Sequence, residues 1–157
     1  MKKFELTNEF ITNMFGTKLF RIRALVEFGD VEAGELGGYV EKESNLGHDD
    51  NAWVYGNAQV SGNARVYGDA RVCGNGDYAY AHGFGSVNRT TTFFRLKDGG
   101  VGVRCGCFYG TLAQFRDKIR ETHGETKKAQ EYLMLADLME LRFEEDENEV
   151  GNRKYVE

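Results

Sequence analysis

The stretch NAWVYGNAQVSGNARVYGDARVCGN, Asn51 to Asn75, says one six-residue phrase four times. Val54, Val60, Val66 and Val72 hold the same place in it. Each is followed by a glycine (Gly56, Gly62, Gly68, Gly74) and then by Asn57, Asn63, Asp69 or Asn75. A step of six does not match the helical period of 3.6, so an amphipathic helix would smear the valines around its whole surface. Six residues do make one short strand and a corner. A β-branched valine suits the inward side of such a strand. Ala58, Ala64 and Ala70 fit where walls converge, and Gly-Asn supplies the positive φ of a corner. Three units would close one triangular coil, the hexapeptide form of a parallel β-helix.

The step continues outward. Val40 and Leu46 keep it upstream, with two extra residues before Val54 that predict a bulge at His48-Asp49-Asp50. Downstream, Tyr78 and Phe84 take the valine slot, which gives two to three coils over residues 37–88. So short a coil is weak alone. Burying one valine contributes ~1.5–3 kcal/mol, whereas ordering six backbone residues costs roughly 6–12 kcal/mol. Both open ends therefore need covering structure.

The flanks can supply it. In residues 1–36, KLFRIRALVE alternates as a strand, FELTNEF is positioned to pair with it, and Gly37-Gly38 leads into the first coil. Residues 89–143 predict a second lobe. RTTTFFRLKDGGVGVRCGCF reads as a β-hairpin turning at Lys97–Gly100. A helix follows with a Thr111–Gln114 capping box, an apolar face of Leu112, Phe115 and Ile119, and a stop at Gly124. A longer helix then carries Ala129, Leu133, Ala136, Met139, Leu135 and Leu138 as a broad apolar stripe. Residues 144–157 begin with Glu144, Glu145, Asp146, Glu147 and Glu149 and read as a solvated acidic tail. The fold class expected is thus mainly β with α.

Composition bounds the function. With 41% hydrophobic and 29% charged residues among 157, a buried core is within reach and wholesale disorder is excluded. Twenty basic against twenty-five acidic residues leave a net charge of -5, which argues against a phosphate-binding surface as the default, although a local basic strip could survive it, and no direct nucleic-acid contact is expected. No apolar run has the roughly 20 residues of a membrane span, and MKKFELTNEF has no signal core, so a cytoplasmic location is expected. Three cysteines make no disulfide framework.

Catalytic signals are weak. Cys105-Gly106-Cys107 would place two thiols on one strand face, but no further ligand pair completes a zinc set, so no metal and no cofactor is expected. His123 precedes a helix-ending glycine and reads as a cap. His48, in the insertion, and His82, in a small-residue slot, are the two candidates for a general base. No nucleophile elbow or phosphate loop is present. The outward slots of the repeat hold Trp53, Tyr55 and Tyr67, with Arg65 and Arg71 in another row, and these are candidate partner-binding residues.

The Val-x-Gly-Asn-Ala-x units resemble the left-handed β-helix of hexapeptide-repeat acyltransferases and γ-type carbonic anhydrases. That resemblance implies the handedness, and a trimer or dimer as the family habit. The whole chain resembles a narrower group, small phage and prophage proteins labelled as transferases. It does so through LFRIRAL, LGGYVEKESNL, NAWVYGNA and FFRLKDGGVGVRCGCFYGTLAQF with the following ETHG. This second resemblance implies action inside a bacterium. The first expectation for function is a non-catalytic protein that binds a bacterial or phage protein, such as an inhibitor of host defence of the anti-CRISPR kind. In one version its acidic tail occupies a nucleic-acid channel of the target. The alternatives are an acyltransferase-like enzyme using His82 or His48, and a sponge that sequesters a small nucleotide.

Overall fold

A computed structural model describes residues 2–85 and 89–144, and the account of the fold is of these. The chain is mainly β with two helices. β1 (Phe4–Thr12), β2 (Lys18–Ala24) and β3 (Leu36–Val40) form an antiparallel sheet, which β5 (Gln59–Val60) extends in parallel. The short strands β4 (Trp53–Val54) and β6 (Arg71–Val72) pair in parallel with each other. A second antiparallel sheet runs in the order β10 (Phe108–Thr111), β9 (Val101–Cys105), β8 (Arg89–Arg95), β7 (Tyr78–Phe84). The helices α1 (Leu112–His123) and α2 (Lys127–Phe143) follow.

The repeat behaves as its valines require. Val40 pairs with Val60, Leu46 with Val66, and Val54 with Val72, all in parallel. The first two pairs span the 48–50 insertion and are each two residues further apart in sequence than the third. The six side chains, with Ala52, Ala58, Ala64 and Ala70, are buried in one apolar cluster. Gly56, Gly62 and Gly68 have φ of 58°, 66° and 71°, the left-handed corner conformation that glycine adopts without steric cost. Gly74 departs from that expectation. Its φ is -154°, and a 3₁₀ turn at Asn75–Asp77 leads out of the repeat.

The step therefore ends at Val72. Tyr78 and Phe84 do not continue it: both lie on β7, whose partner is the antiparallel β8. Alternation in YAYAHGF serves a sheet edge instead of a corner, because no Gly-Asn pair follows at the required spacing.

Two aromatic neighbours show how the second sheet joins its surroundings. Successive residues of a strand point to opposite faces. Phe94 accordingly enters the valine cluster, while Phe93 enters a second cluster with Val103, Phe115, Ile119, Tyr132 and Met139. The capping box of α1 forms as expected, with Thr111 Oγ1 accepting from the Gln114 N–H and Gln114 Oε1 accepting from the Thr111 N–H. The stripe on α2 is shifted from its expected place. Tyr132 and Phe143 are buried, whereas Leu138 is exposed together with Met134 and Leu141. Among the described residues no helix is long and apolar enough to cross a membrane.

The N-terminal segment closes over the repeat. Phe4, Ile22 and Val31 belong to the valine cluster. Lys3 reaches into it, almost wholly buried, and its Nζ donates to the carbonyls of Ala52 (2.6 Å) and Asp50 (3.0 Å) and to Asp50 Oδ1 (3.3 Å). Gly37 permits the approach of β3, since a Cβ there would stand 2.6 Å from the Val54 carbonyl oxygen.

Candidate functional site

The residues singled out in the repeat separate into three environments. Trp53 is not on the surface at all: its relative exposure is 0%. Alternation does set it opposite Val54, but that face of the wall is covered by the N-terminal segment. Phe28 and Phe4 meet the indole in T-shaped contacts at centroid distances of 5.2 and 6.3 Å. Trp53 is a core residue and offers no surface to a partner, contrary to its expected place in an outward slot.

Tyr55 and Arg71 come together. The Tyr55 hydroxyl donates to Asp30 Oδ1 (2.9 Å), the Arg71 guanidinium lies over the Tyr55 ring at 5.0 Å, and Arg71 is 3.7 Å from Asp30 Oδ2. Three chain segments meet here: the turn before β3, the repeat wall, and the β8–β9 turn. They enclose an open cleft of about 570 Å³ whose lining includes Asp30, Asn51, Tyr55, Asp69, Arg71 and Lys97. Asp30 was missed in the sequence because nothing in GDVEAGEL marks which acid will face the repeat.

Electrostatics hold the trio in place. Hydrogen bonding to Tyr55 and the nearby Arg71 keep the Asp30 carboxyl below the usual carboxylate range. Burial, then the bond to Asp30, push the Tyr55 phenol up to about 12. The neutral phenol is thus the form the folded state favours. Its stabilisation is complete below the unfolded phenol value near 10 and is lost as pH rises toward 12. A spectrophotometric titration is expected to show Tyr55→Phe losing one late-ionising phenol; an unchanged high-pH step would contradict the assignment.

Arg65 and Tyr67 belong elsewhere. Arg65 is exposed and lines a second groove, with Lys42, Arg89 and Arg104. Tyr67 lies beneath the Arg104 guanidinium at 4.4 Å. Glu144 is exposed just after α2; Glu145, Asp146, Glu147 and Glu149 lie outside the described residues.

The histidines are placed as follows. His48 stacks on Phe4 at 4.3 Å, its Nδ1 accepts from the Lys3 N–H (3.1 Å), and its Nε2 is 3.1 Å from Glu43 Oε1. Nδ1 is thus engaged in holding the N-terminal segment, and Nε2 faces the Glu43 carboxylate. His82 is exposed on β7 with Nδ1 2.7 Å from Thr90 Oγ1. His123 stacks on Tyr132 at 5.9 Å. Cys105 and Cys107 do not share a strand face. β9 ends at Cys105, Gly106 takes φ of 58°, and Cys107 sits in the turn to β10. Among the described residues no group of three or more His, Cys, Asp or Glu side chains is arranged to hold a metal.

No protein-family model matches the chain, and a search of curated proteins returned no significant match.

Proposed function

We propose that the repeat is two turns of a short left-handed β-helix, and that the protein is a non-catalytic module that binds a bacterial or phage protein through the Asp30–Tyr55–Arg71 cleft. The three parallel pairings, Val40 with Val60, Leu46 with Val66 and Val54 with Val72, support the first part. The handedness follows from the resemblance to hexapeptide-repeat proteins. The covered ends of the repeat match what so short a coil needs for stability.

The observation that carries the docking reading is the Tyr55–Arg71 pair itself. Tyrosine and arginine are the side chains that most often dominate a protein interface, provided their conformations are fixed before the partner arrives. Asp30 fixes both, so little side-chain entropy remains to be lost. Around them the cleft carries charges of both signs (Asp69 and Asp98 against Lys97), the polar rim typical of an interface. His48 is occupied structurally, which weakens the alternative of an acyltransferase-like enzyme. Interference with a host defence complex fits a small acidic protein of this kind.

The test is a comparative capture. Tagged protein and a Tyr55→Ala/Arg71→Glu variant are expressed in a phage-infected bacterial host, and co-purifying proteins are quantified by mass spectrometry. A specific partner is expected with the wild type and at least about tenfold less of it with the variant. Equal recovery would remove the cleft from the interface, and reproducible recovery of no macromolecule would defeat the binding reading.

A further inference from the structure

The chain has more acids than bases, yet one groove is lined by four cations and no carboxylate. Lys42, Arg65, Arg89 and Arg104 surround a space of about 460 Å³, together with Ser44 and Thr90. Among the described residues none of the four is in an ion pair. Their neighbours are neutral instead. Lys42 Nζ donates to Asn63 Oδ1 (2.7 Å), and Arg104 donates through Nε to the Gly106 carbonyl (3.1 Å) while lying on Tyr67. The Arg89 guanidinium rests against Gly106, where an added Cβ would push it aside. Clustered cations repel one another, and a surface rich in acids offers many ways to neutralise them. That none is used leaves a site in want of an anion. The planar fork of arginine matches a phosphate group in particular.

The groove does not stand alone. Arg89 and Cys107 also line a neighbouring pocket of about 270 Å³ whose other walls include Phe108, Phe115, Ile119 and Tyr132. His123 completes one side, its ring stacked on that of Tyr132 with an interplanar angle of 22°. A largely aromatic and apolar slot, lined also by Lys118 and Thr122, thus adjoins a basic groove, with Arg89 at the junction.

We propose that slot and groove are one bipartite site for a nucleoside phosphate, the phosphates among Arg65, Arg89 and Arg104 and the base in the slot beside His123 and Tyr132. The groove alone is on the scale of small-ligand sites, roughly 300–1,000 Å³, and the slot adds a volume just below that range. A long nucleic-acid strand is a poorer fit, because the chain as a whole carries a net charge of -5 and would repel a continuing backbone. This site shares no residue with the docking cleft, so either can fail without the other.

Calorimetric titration of the full chain with ADP, GDP, CDP, UDP and inorganic pyrophosphate tests the proposal. At least one nucleoside diphosphate is expected to bind about tenfold or more tightly than pyrophosphate, the difference being the base in its slot. Arg89→Ala is expected to weaken that nucleotide about 10- to 100-fold, with partial recovery in Arg89→Lys. His123→Ala should weaken the nucleotide and leave pyrophosphate unchanged, a pattern that a general loss of structure would not give. Bound nucleotide should also slow alkylation of Cys107, which is exposed at the junction. No binding of any of the four nucleotides up to about 1 mM would overturn the proposal. So would binding indifferent to both Arg89→Ala and Arg65→Ala, or affinity that grows with the length of a single-stranded oligonucleotide.

Discussion

Asp50→Ala is expected to lower the unfolding free energy by about 3–5 kcal/mol, a large share of the roughly 5–15 kcal/mol that holds an ordinary domain together. Asp50 makes several separate attachments. Its Oδ1 takes Lys3 Nζ (3.3 Å) and the Ala52 N–H (3.2 Å), and its Oδ2 takes the Gly68 N–H (2.7 Å). The insertion that interrupts the six-residue step is thereby tied to the N-terminus and to the next corner of the repeat. Lys3 is only 2% exposed. Burial lowers its pKa, and Asp50 is the chief influence opposing that shift. Removing the carboxylate leaves a buried ammonium with only the weaker attraction of Asp49 to compensate it, which is the costly half of breaking a buried pair.

The sign of the pH dependence follows. A lysine whose folded pKa lies below its unfolded value penalises folding while charged, and the penalty fades as pH rises from the folded pKa toward 10.5. Asp50→Ala should therefore recover stability in urea melts at about pH 9.5 relative to pH 7, more than the wild type does. Lys3→Met discards charge and burial cost together, so it is expected to be milder than Asp50→Ala. Equal losses in the two variants would show that packing, not the poorly compensated charge, sets the effect.

Trp53→Ala is the second large effect, expected at about 3–5 kcal/mol. The indole is fully buried between the repeat wall and the N-terminal segment, against Phe4 and Phe28, so truncation opens a cavity at the seam that joins them. Trp53→Phe should cost far less, about 1–2 kcal/mol. The indole N–H has no hydrogen-bond partner among the described residues, and losing it forfeits volume alone. Urea denaturation followed by circular dichroism measures both; fluorescence serves only the wild type, because Trp53 is the single tryptophan. A loss under about 1 kcal/mol for Trp53→Ala would mean that the N-terminal segment does not stabilise the repeat.

The two predictions probe the same seam from its polar and apolar sides, and the seam is where the sequence was least legible. The valine step, the alanines and three of four corner glycines were readable, because their spacing reflects backbone geometry local to each unit. The insertion at 48–50 was readable as an irregularity. Its partner Lys3 was not, since nothing in MKKFEL distinguishes a buried lysine from a solvated one. Trp53 was misread for the same reason: alternation says which side of a strand a residue takes, not whether that side meets water.

The candidate surfaces divide along that line too. Tyr55 and Arg71 stood out as large polar-tipped residues in a row of small ones. That they meet each other, with Asp30 fixing both, depends on a turn before β3 folding back onto the repeat. The basic groove had no sequence signature. Lys42, Arg65, Arg89 and Arg104 are scattered over the chain, and only the crossing of the second sheet past the repeat gathers them.

By itself the sequence determined that Val54, Val60, Val66 and Val72 turn to one apolar interior, because a step of six admits few other ways to bury one apolar residue per unit. It also set the hairpin at Lys97–Gly100 and the Thr111 cap, which are likewise local. Tertiary structure alone decided where the repeat stops, what covers Trp53, and which charged side chains face one another. Those outcomes rest on contacts between segments far apart in the chain, and no short window of residues encodes them.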